Sequence, residues 1–349
     1  MVLIIIKIVS CLCLTSLLLS GAYVEAAPSV SAHSAVIMAD SGEVLFAKNA
    51  DEKLPIASTT KIMTAIIVIE NCKLDDSVLI TAESCNIEGS SMYLKEGEKY
   101  TVRQLLQGMM LVSGNDAAHA LALHTAGSIE DFAVLMNKKC QELAMNSTKF
   151  QNPHGLSEDD HYSSAEDMAR LMVYCMQNED FSKLTALKSL KLGEKSFVNH
   201  NKLLYVCPGC IGGKTGYTMA AGRCLVSACE RDGSSFVCVT LAAPNDWNDH
   251  IGLYNWAYSQ FSHREIADNL SFNIPVVSGK TESVTLTAEY TELLLPKKAE
   301  LVIKAELPNF VFAPITRGEC GGIFKAYCEN ECVAEGRLLY QNDVEVSKE

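Results

Sequence analysis

The chain has 349 residues, 48% of them hydrophobic and 20% charged, values of a folded globular protein that exclude disorder, collagen-like repeats and coiled coil for its bulk. At ~150 residues per domain the length allows about two domains. The formal charge is −13, from 29 Lys+Arg against 42 Asp+Glu; an acidic chain repels phosphate backbones, so no nucleic-acid partner is expected.

Residues 1–26 form a regime of their own. Lys7 precedes an apolar run from Ile8 to Leu19, followed by Ser20-Gly21-Ala22 and Val24-Glu25-Ala26. Small residues thus occupy the positions before a cleavage point after Ala26, the layout of a secretory signal peptide. An uncleaved N-terminal anchor is the alternative. Cys11 and Cys13 lie inside the run, so no lipoprotein-type cysteine follows it. Export is the expectation, and twelve of the 14 cysteines remain after the leader. Cys207-Pro208-Gly209-Cys210 has C-x-x-C spacing, but zinc needs two further ligands and no second C-x-x-C or H-x-x-x-H is present. A local disulfide or packed thiols is expected there and at Cys328/Cys332, with no metal and no cofactor.

Taken in order, Ala35–Ala39 and Val44–Ala47 around Asp40-Ser41-Gly42-Glu43 read as a β-hairpin. Thr59–Glu70 is a helix buried on most sides, with Pro55 just ahead of it. Val102–Val112 and Ala117–Thr125 are helices separated by Ser113-Gly114-Asn115-Asp116. Ile129–Ala144 and Ser164–Gln177 are amphipathic helices, the latter opened by a capping-box-like Ser164 and Asp167. Gly212–Thr218 reads as a strand, Arg223–Glu230 and Ser235–Ala242 as a hairpin around Asp232-Gly233, and Asp246–Phe261 as a helix. After about residue 265 the pattern becomes short alternating strands. The expected class is α+β: a helical cluster plus an antiparallel sheet over residues 27–264, and a small β-sandwich-like all-β domain over 265–349.

Three motifs stand in order: Ser58-Thr59-Thr60-Lys61, Ser113-Gly114-Asn115 and Lys214-Thr215-Gly216. The first two alone are weak, since short motifs recur by chance, and the Lys-Thr-Gly run is rarer. Their placement at a helix start, an interhelix break and a strand is what carries weight. Ser58 and Lys61, three apart on a helix, share a face. A serine hydroxyl attacks only when a neighbouring base takes its proton, and Lys61 can be that base only if burial and a positive neighbour such as Lys214 lower its pKa.

This motif set is the known signature of class A β-lactamases and penicillin-binding proteins. With Ser90–Leu94, Asn152-Pro153-His154-Gly155-Leu156 and Gly213–Thr218, the chain resembles the D-alanyl-D-alanine carboxypeptidases of serine peptidase family S11 from about Ser34 to Phe261. The resemblance implies a penicillin-binding, β-lactamase-like transpeptidase fold. It implies Ser58, Lys61 and Ser113 as catalytic residues, Ser113 relaying a proton to the leaving amine. Asn115, Lys214, Thr215, Gly216 and Tyr217 would bind substrate, with the Tyr217 amide as second oxyanion donor. The implied substrate is a peptidoglycan pentapeptide, with β-lactams as covalent inhibitors. A D,D-endopeptidase shares every motif, and a non-hydrolysing penicillin-binding sensor is a third reading. A β-lactamase is disfavoured because no E-x-x-L-N follows Asn115; Glu158 and Glu166 stand in other contexts. His154 reads as structural. The amphipathic terminal helix common in the family is not seen in Glu335–Glu349, so membrane association is not expected.

Overall fold

A computed structural model of the chain describes residues 24–348 apart from 268–269, 290 and 329. The apolar run read as a leader lies outside these residues. The chain divides into two compact units, one spanning Ala26–His263 and the other containing Arg264–Glu349.

The first unit is built on a five-stranded antiparallel sheet. Its opening hairpin, Ser34–Ala39 (β1) and Val44–Lys48 (β2), leads through a 3₁₀ turn at Ala57–Thr60 into Lys61–Asn71 (α1). Short strands Ser77–Leu79 (β3) and Lys99–Thr101 (β4) pair antiparallel ahead of the helices Val102–Leu111 (α2), Asn115–Ala126 (α3) and Ile129–Glu142 (α4). Then come Ala165–Met176 (α5), Glu179–Thr185 (α6), the hairpin Ser189–Leu192 (β5) and Lys195–Val198 (β6), and Leu203–Val206 (α7). Cys210–Thr218 (β7), Gly222–Arg231 (β8), Ser234–Leu241 (β9) and Asp246–Gln260 (α8) complete it. The sheet order is β2-β1-β9-β8-β7, which leaves β7 on an edge.

Both faces of the central strands are covered, which is why they read as continuous apolar runs. Val36, Met38, Val226, Ala228, Val237 and Val239 pack into the core with α1–α6. On the other face Ser227 and Thr240 meet α8: Ser227 Oγ lies 2.7 Å from His250 Nδ1 and 2.8 Å from Tyr254 Oη, and Thr240 Oγ1 is 3.0 Å from His250 Nε2. All four side chains are fully buried, so each polar atom needs its partner. The β8–β9 turn has positive φ at Asp232 (50°) and Gly233 (77°), the backbone a two-residue hairpin turn requires. Helix α1 is buried from Lys61 to Val68 and forms the centre of the helical layer.

The second unit is all β among its described residues. Following Phe261–Glu265 (β10), strands Ser271–Val277 (β11), Ser283–Ala288 (β12), Glu292–Pro296 (β13), Leu301–Glu306 (β14), Val311–Phe312 (β15), Cys320–Cys328 (β16) and Glu331–Tyr340 (β17) succeed one another. Six of them form one sheet in the order β14-β16-β17-β12-β11-β15. Ile274, Val284, Leu286, Phe324, Ala326, Leu338 and Tyr340 make its apolar face.

Some local features differ from the pattern reading. Ser58 lies on the 3₁₀ turn rather than on α1 itself, and Asn115 already begins α3 instead of standing in the break. Ser164 caps α5 through the Asp167 amide, but the Asp167 carboxylate does not reciprocate: it accepts from Ser147 N and Thr148 Oγ1. The full capping box is at Thr101 and Gln104, opening α2. The stretch with α6, β5, β6 and α7, unread in the sequence, is ordered. Among the described residues no helix is long and apolar enough to cross a membrane.

Because both Thr101–Gln104 bonds satisfy otherwise orphaned amides, Thr101→Ala is expected to lower the unfolding free energy by about 1 kcal/mol, read as a shifted urea midpoint.

Candidate active site

The turn that carries Ser58 is held in a backbone form its sequence would not choose alone. Ala57 has φ 47°, in the left-handed region. Thr59 Oγ1 donates to Ile56 O at 2.6 Å and Thr60 Oγ1 to Ala57 O at 2.8 Å, clamping it from both sides. A Cβ on Gly155 (φ 87°) would lie 1.9 Å from Ala57 O, so only glycine lets the Asn152–Leu156 turn press against the serine turn.

Lys61 is fully buried, and its Nζ has three oxygen neighbours: Ser58 Oγ at 2.9 Å, Asn115 Oδ1 at 2.6 Å and His154 O at 2.6 Å. Burial, and then the charge of Lys214, hold its pKa well below the usual lysine value. A neutral amine has two N–H donors and one lone pair. The amide and carbonyl oxygens accept from the two donors, which leaves the lone pair for the Ser58 hydroxyl proton. The flanking imidazoles stay uncharged: burial pushes His154 down to about 3 and His161 to about 4.

Ser113 has φ 63° and is 5% exposed. Its Oγ accepts from Lys214 Nζ at 3.1 Å, and Lys214 also donates to Thr215 O at 2.9 Å. Lys214 is 2% exposed, and burial lowers it to about 7. Asn115 bridges: while its Oδ1 faces Lys61, its Nδ2 donates to Glu88 O. The neighbouring Asp116, 1% exposed, accepts at one oxygen from Met92 N and Ala117 N and at the other from Ser91 Oγ and Leu94 N. Four donors on one buried carboxylate fix the Ser90–Leu94 loop against the Ser113–Asn115 turn.

Strand β7 closes the site from the other side. In the β7–β8 register Lys214 stands opposite Val226 and Tyr217 opposite Arg223. A Cβ on Gly216 would come 3.0 Å from both Ile56 O and Ser58 N, so the strand approaches the serine turn as closely as glycine permits. Ser58, Ser113, Thr215, Gly216 and Tyr217 line one cleft of about 880 Å³. The structure therefore brings all eight residues singled out in the sequence to one locality.

The profile of the Peptidase_S11 family, described as D-alanyl-D-alanine carboxypeptidase, matches residues 22–245. The chain belongs to this serine peptidase family. It is 33% identical over 333 residues to the D-alanyl-D-alanine carboxypeptidase DacF of Bacillus subtilis, covering 90% of this chain and 86% of that protein. With DacC of Escherichia coli it shares 32% identity over 91% of this chain and 86% of the relative. Among solved structures it is similar to penicillin binding protein 6B from Escherichia coli, with TM-score 0.76, 26% identity and coverage of 90% of this chain and 97% of that one. Penicillin binding protein 5 from Haemophilus influenzae gives 0.73 and 28%, covering 92% and 99%. The penicillin-binding type of fold, α+β with a C-terminal all-β unit, and the serine hydrolase class follow from these likenesses.

Further residues of this S11 cleft escaped the sequence reading. Ser196, Val198, Asn199, His200, Lys202 and Tyr205 wall it from the unread stretch. Arg223 enters from β8, held by Asp246 through contacts of 2.7, 2.9 and 3.1 Å and lying 5.5 Å from the Trp247 ring. A lone arginine inside a strand carries no pattern; only the register with Tyr217 reveals it. Lys195 ties the β5–β6 hairpin to the Ser90–Leu94 loop through Met92 O at 3.3 Å and Tyr93 O at 3.0 Å.

An amide at position 116 would aim two N–H groups at donors. Asp116→Asn is expected to cost about 2–3 kcal/mol in urea unfolding, well above an exposed Asp→Asn control such as Asp232→Asn.

Proposed function

We propose that Ser58 is the nucleophile of a D-Ala-D-Ala carboxypeptidase that trims peptidoglycan pentapeptide stems by acylation and hydrolysis. The observation that supports this best is the Lys61 amine, desolvated, held by two fixed oxygens and 2.9 Å from Ser58 Oγ. Ser58 Oγ attacks the carbonyl of the penultimate D-alanine while its proton passes to Lys61 Nζ. The Ser58 and Tyr217 amides bind the oxyanion of the tetrahedral intermediate. Its collapse releases terminal D-alanine, whose nitrogen takes the proton from Lys61 by way of Ser113, returning Lys61 to the neutral amine. Since Ser113 Oγ accepts from Lys214, its own O–H is free to point into the cleft. Water then attacks the acyl-enzyme with Lys61 again taking the proton.

The extended substrate lies along the β7 edge over Gly216, with Asn115 and Thr215 beside it. Lys214 is buried and, lowered to about 7, is charged only about half the time at pH 7, so it is a poor sole anchor for a terminal carboxylate. Arg223 supplies the fixed positive charge, its side chain 41% exposed and its guanidinium oriented by Asp246. β-Lactams, which present an acyl group and a carboxylate in one rigid body, acylate Ser58. The protein acts outside the cytoplasm, residues 1–26 serving as its export leader, with Ala27 onward carrying the catalytic unit.

The test is D-alanine release from a synthetic pentapeptide stem. Native protein is expected to release it and Ser58→Ala to lose roughly 10⁴-fold or more of the rate; a penicillin adduct on the Ser58 peptide without release would overturn the hydrolytic reading.

The pH profile gives a second test. Lys61 works as the neutral amine and its pKa is depressed from 10.5, so kcat/KM is expected to be high at neutral pH and to fall as Lys61 protonates on acidification. A rate still climbing towards pH 10.5 would contradict this. Arg223→Gln is expected to raise KM for the pentapeptide about tenfold or more with a smaller change in kcat, and not to affect a C-terminally amidated analogue.

A further inference from the structure

Among the described residues most of the buried cysteines carry inert thiols. Burial pushes Cys210 and Cys224 up to about 11 and Cys140 to about 12, far from the thiolate. One group behaves differently. Cys207 ends α7, and the Pro208-Gly209 turn leads from it into β7; Cys229 lies on β8, directly opposite Cys210.

The turn folds back so that both sulfurs meet one carbonyl, Cys207 Sγ lying 3.8 Å and Cys229 Sγ 3.3 Å from Pro208 O. Several contacts lock this arrangement. Glu230 N donates to Gly209 O at 2.8 Å and Cys229 Sγ to Pro208 O at 3.3 Å. Gly209 has φ 77°, and a Cβ there would lie 2.4 Å from Glu230 O and 3.3 Å from Cys229 Sγ. Arg231 Nε donates to Pro208 O at 2.9 Å while its Nη2 reaches Cys207 Sγ at 3.6 Å. The guanidinium is itself held 4.6 Å over the Tyr258 ring. The neighbouring Cys229 thiol, aided by the Arg231 charge, holds Cys207 below the usual thiol value, whereas Cys229 is pushed up. An attacking thiolate and a second thiol within contact are the two components of disulfide formation.

We propose that Cys207 and Cys229 are a disulfide-forming pair, with Cys207 the attacking sulfur and Cys229 the resolving one, oxidised by a small-molecule or protein disulfide. The Cys207 thiolate attacks one sulfur of the oxidant, forming a mixed disulfide and expelling the other as a thiolate. Cys229 then gives up its proton and attacks the Cys207 sulfur, expelling the second thiolate. One disulfide is formed, the oxidant is reduced to two thiols, and no other electron acceptor is needed. Cys207 and Cys229 are 5% and 0% exposed, but Val206, Pro208 and Gly209 around the first are at the surface. The bond would close a loop containing Lys214, Thr215 and Gly216, stapling the start of the edge strand to its neighbour. Cys210, although opposite Cys229, is not the partner: its sulfur faces Gly212 O at 3.7 Å.

The experiment is peptide mapping of the full chain after incubation with oxidised glutathione and alkylation of the remaining thiols. The expected product is a linked Cys207–Cys229 peptide pair, retained in Cys210→Ser and lost in Cys207→Ser. Alkylation of both Cys207 and Cys229, a stable glutathione adduct on Cys207 beside an alkylated Cys229, or a Cys210–Cys229 link would each overturn it. The map of the native chain decides even if a variant fails to fold. None of these readouts involves D-alanine release, so the proposal stands or falls apart from the hydrolytic reading.

Discussion

A lysine amine held inside a protein core governs the rest of this site. An ammonium in water prefers its proton by several orders of magnitude at pH 7, and desolvation with a positive neighbour weakens that preference. Lys61 therefore sits on a helix buried along most of its length, and its neighbours disfavour its charge. Lys214 raises the cost of a second positive charge, and His154 and His161 remain neutral at its flank. In the neutral amine the two N–H groups go to Asn115 Oδ1 and His154 O, which leaves its one lone pair facing the Ser58 hydroxyl.

Supporting that amine requires close approaches that ordinary residues obstruct. Gly155 lets a turn reach the Ala57 carbonyl, and Gly216 lets the edge strand reach the Ser58 amide. Ala57 and Ser113 occupy left-handed backbone, a strained form that persists because surrounding bonds over-determine it. Such strain belongs at a preorganised site: the side chains are placed before substrate arrives, and the organising energy comes from the packed helices and sheet behind them. Asp116 shows how the cost is met locally, one buried carboxylate satisfying four donors from the loop and helix it joins.

Much of the architecture was legible in the sequence because period and turn chemistry agree. The opening hairpin, the Asp232-Gly233 turn and the long helices α4, α5 and α8 are found within a few residues of the pattern reading. The segment from Asn178 to Val206 was not legible. Its elements are only four to seven residues long, too short to establish a period, and they bury too few side chains to stand out. The capping box at Thr101 was missed for a similar reason: two residues three apart carry no signal unless the helix after them is already placed.

By itself, the sequence singled out the residues that meet in the cleft. Ser58, Lys61, Ser113, Asn115 and the Lys214–Gly216 strand are chemistry-bearing residues at fixed short spacings, and short spacing on a helix or strand translates directly into position. What only the tertiary structure decided is which groups modify them. Asn115 orienting Lys61, the His154 carbonyl accepting from it, Lys214 meeting Ser113 and Arg223 standing beside Tyr217 are contacts between residues 54, 93, 101 and 6 positions apart along the chain. A pKa, a lone-pair direction or a charge in a cleft is a property of the dielectric and the neighbours around an atom, and those exist only once distant segments have packed together.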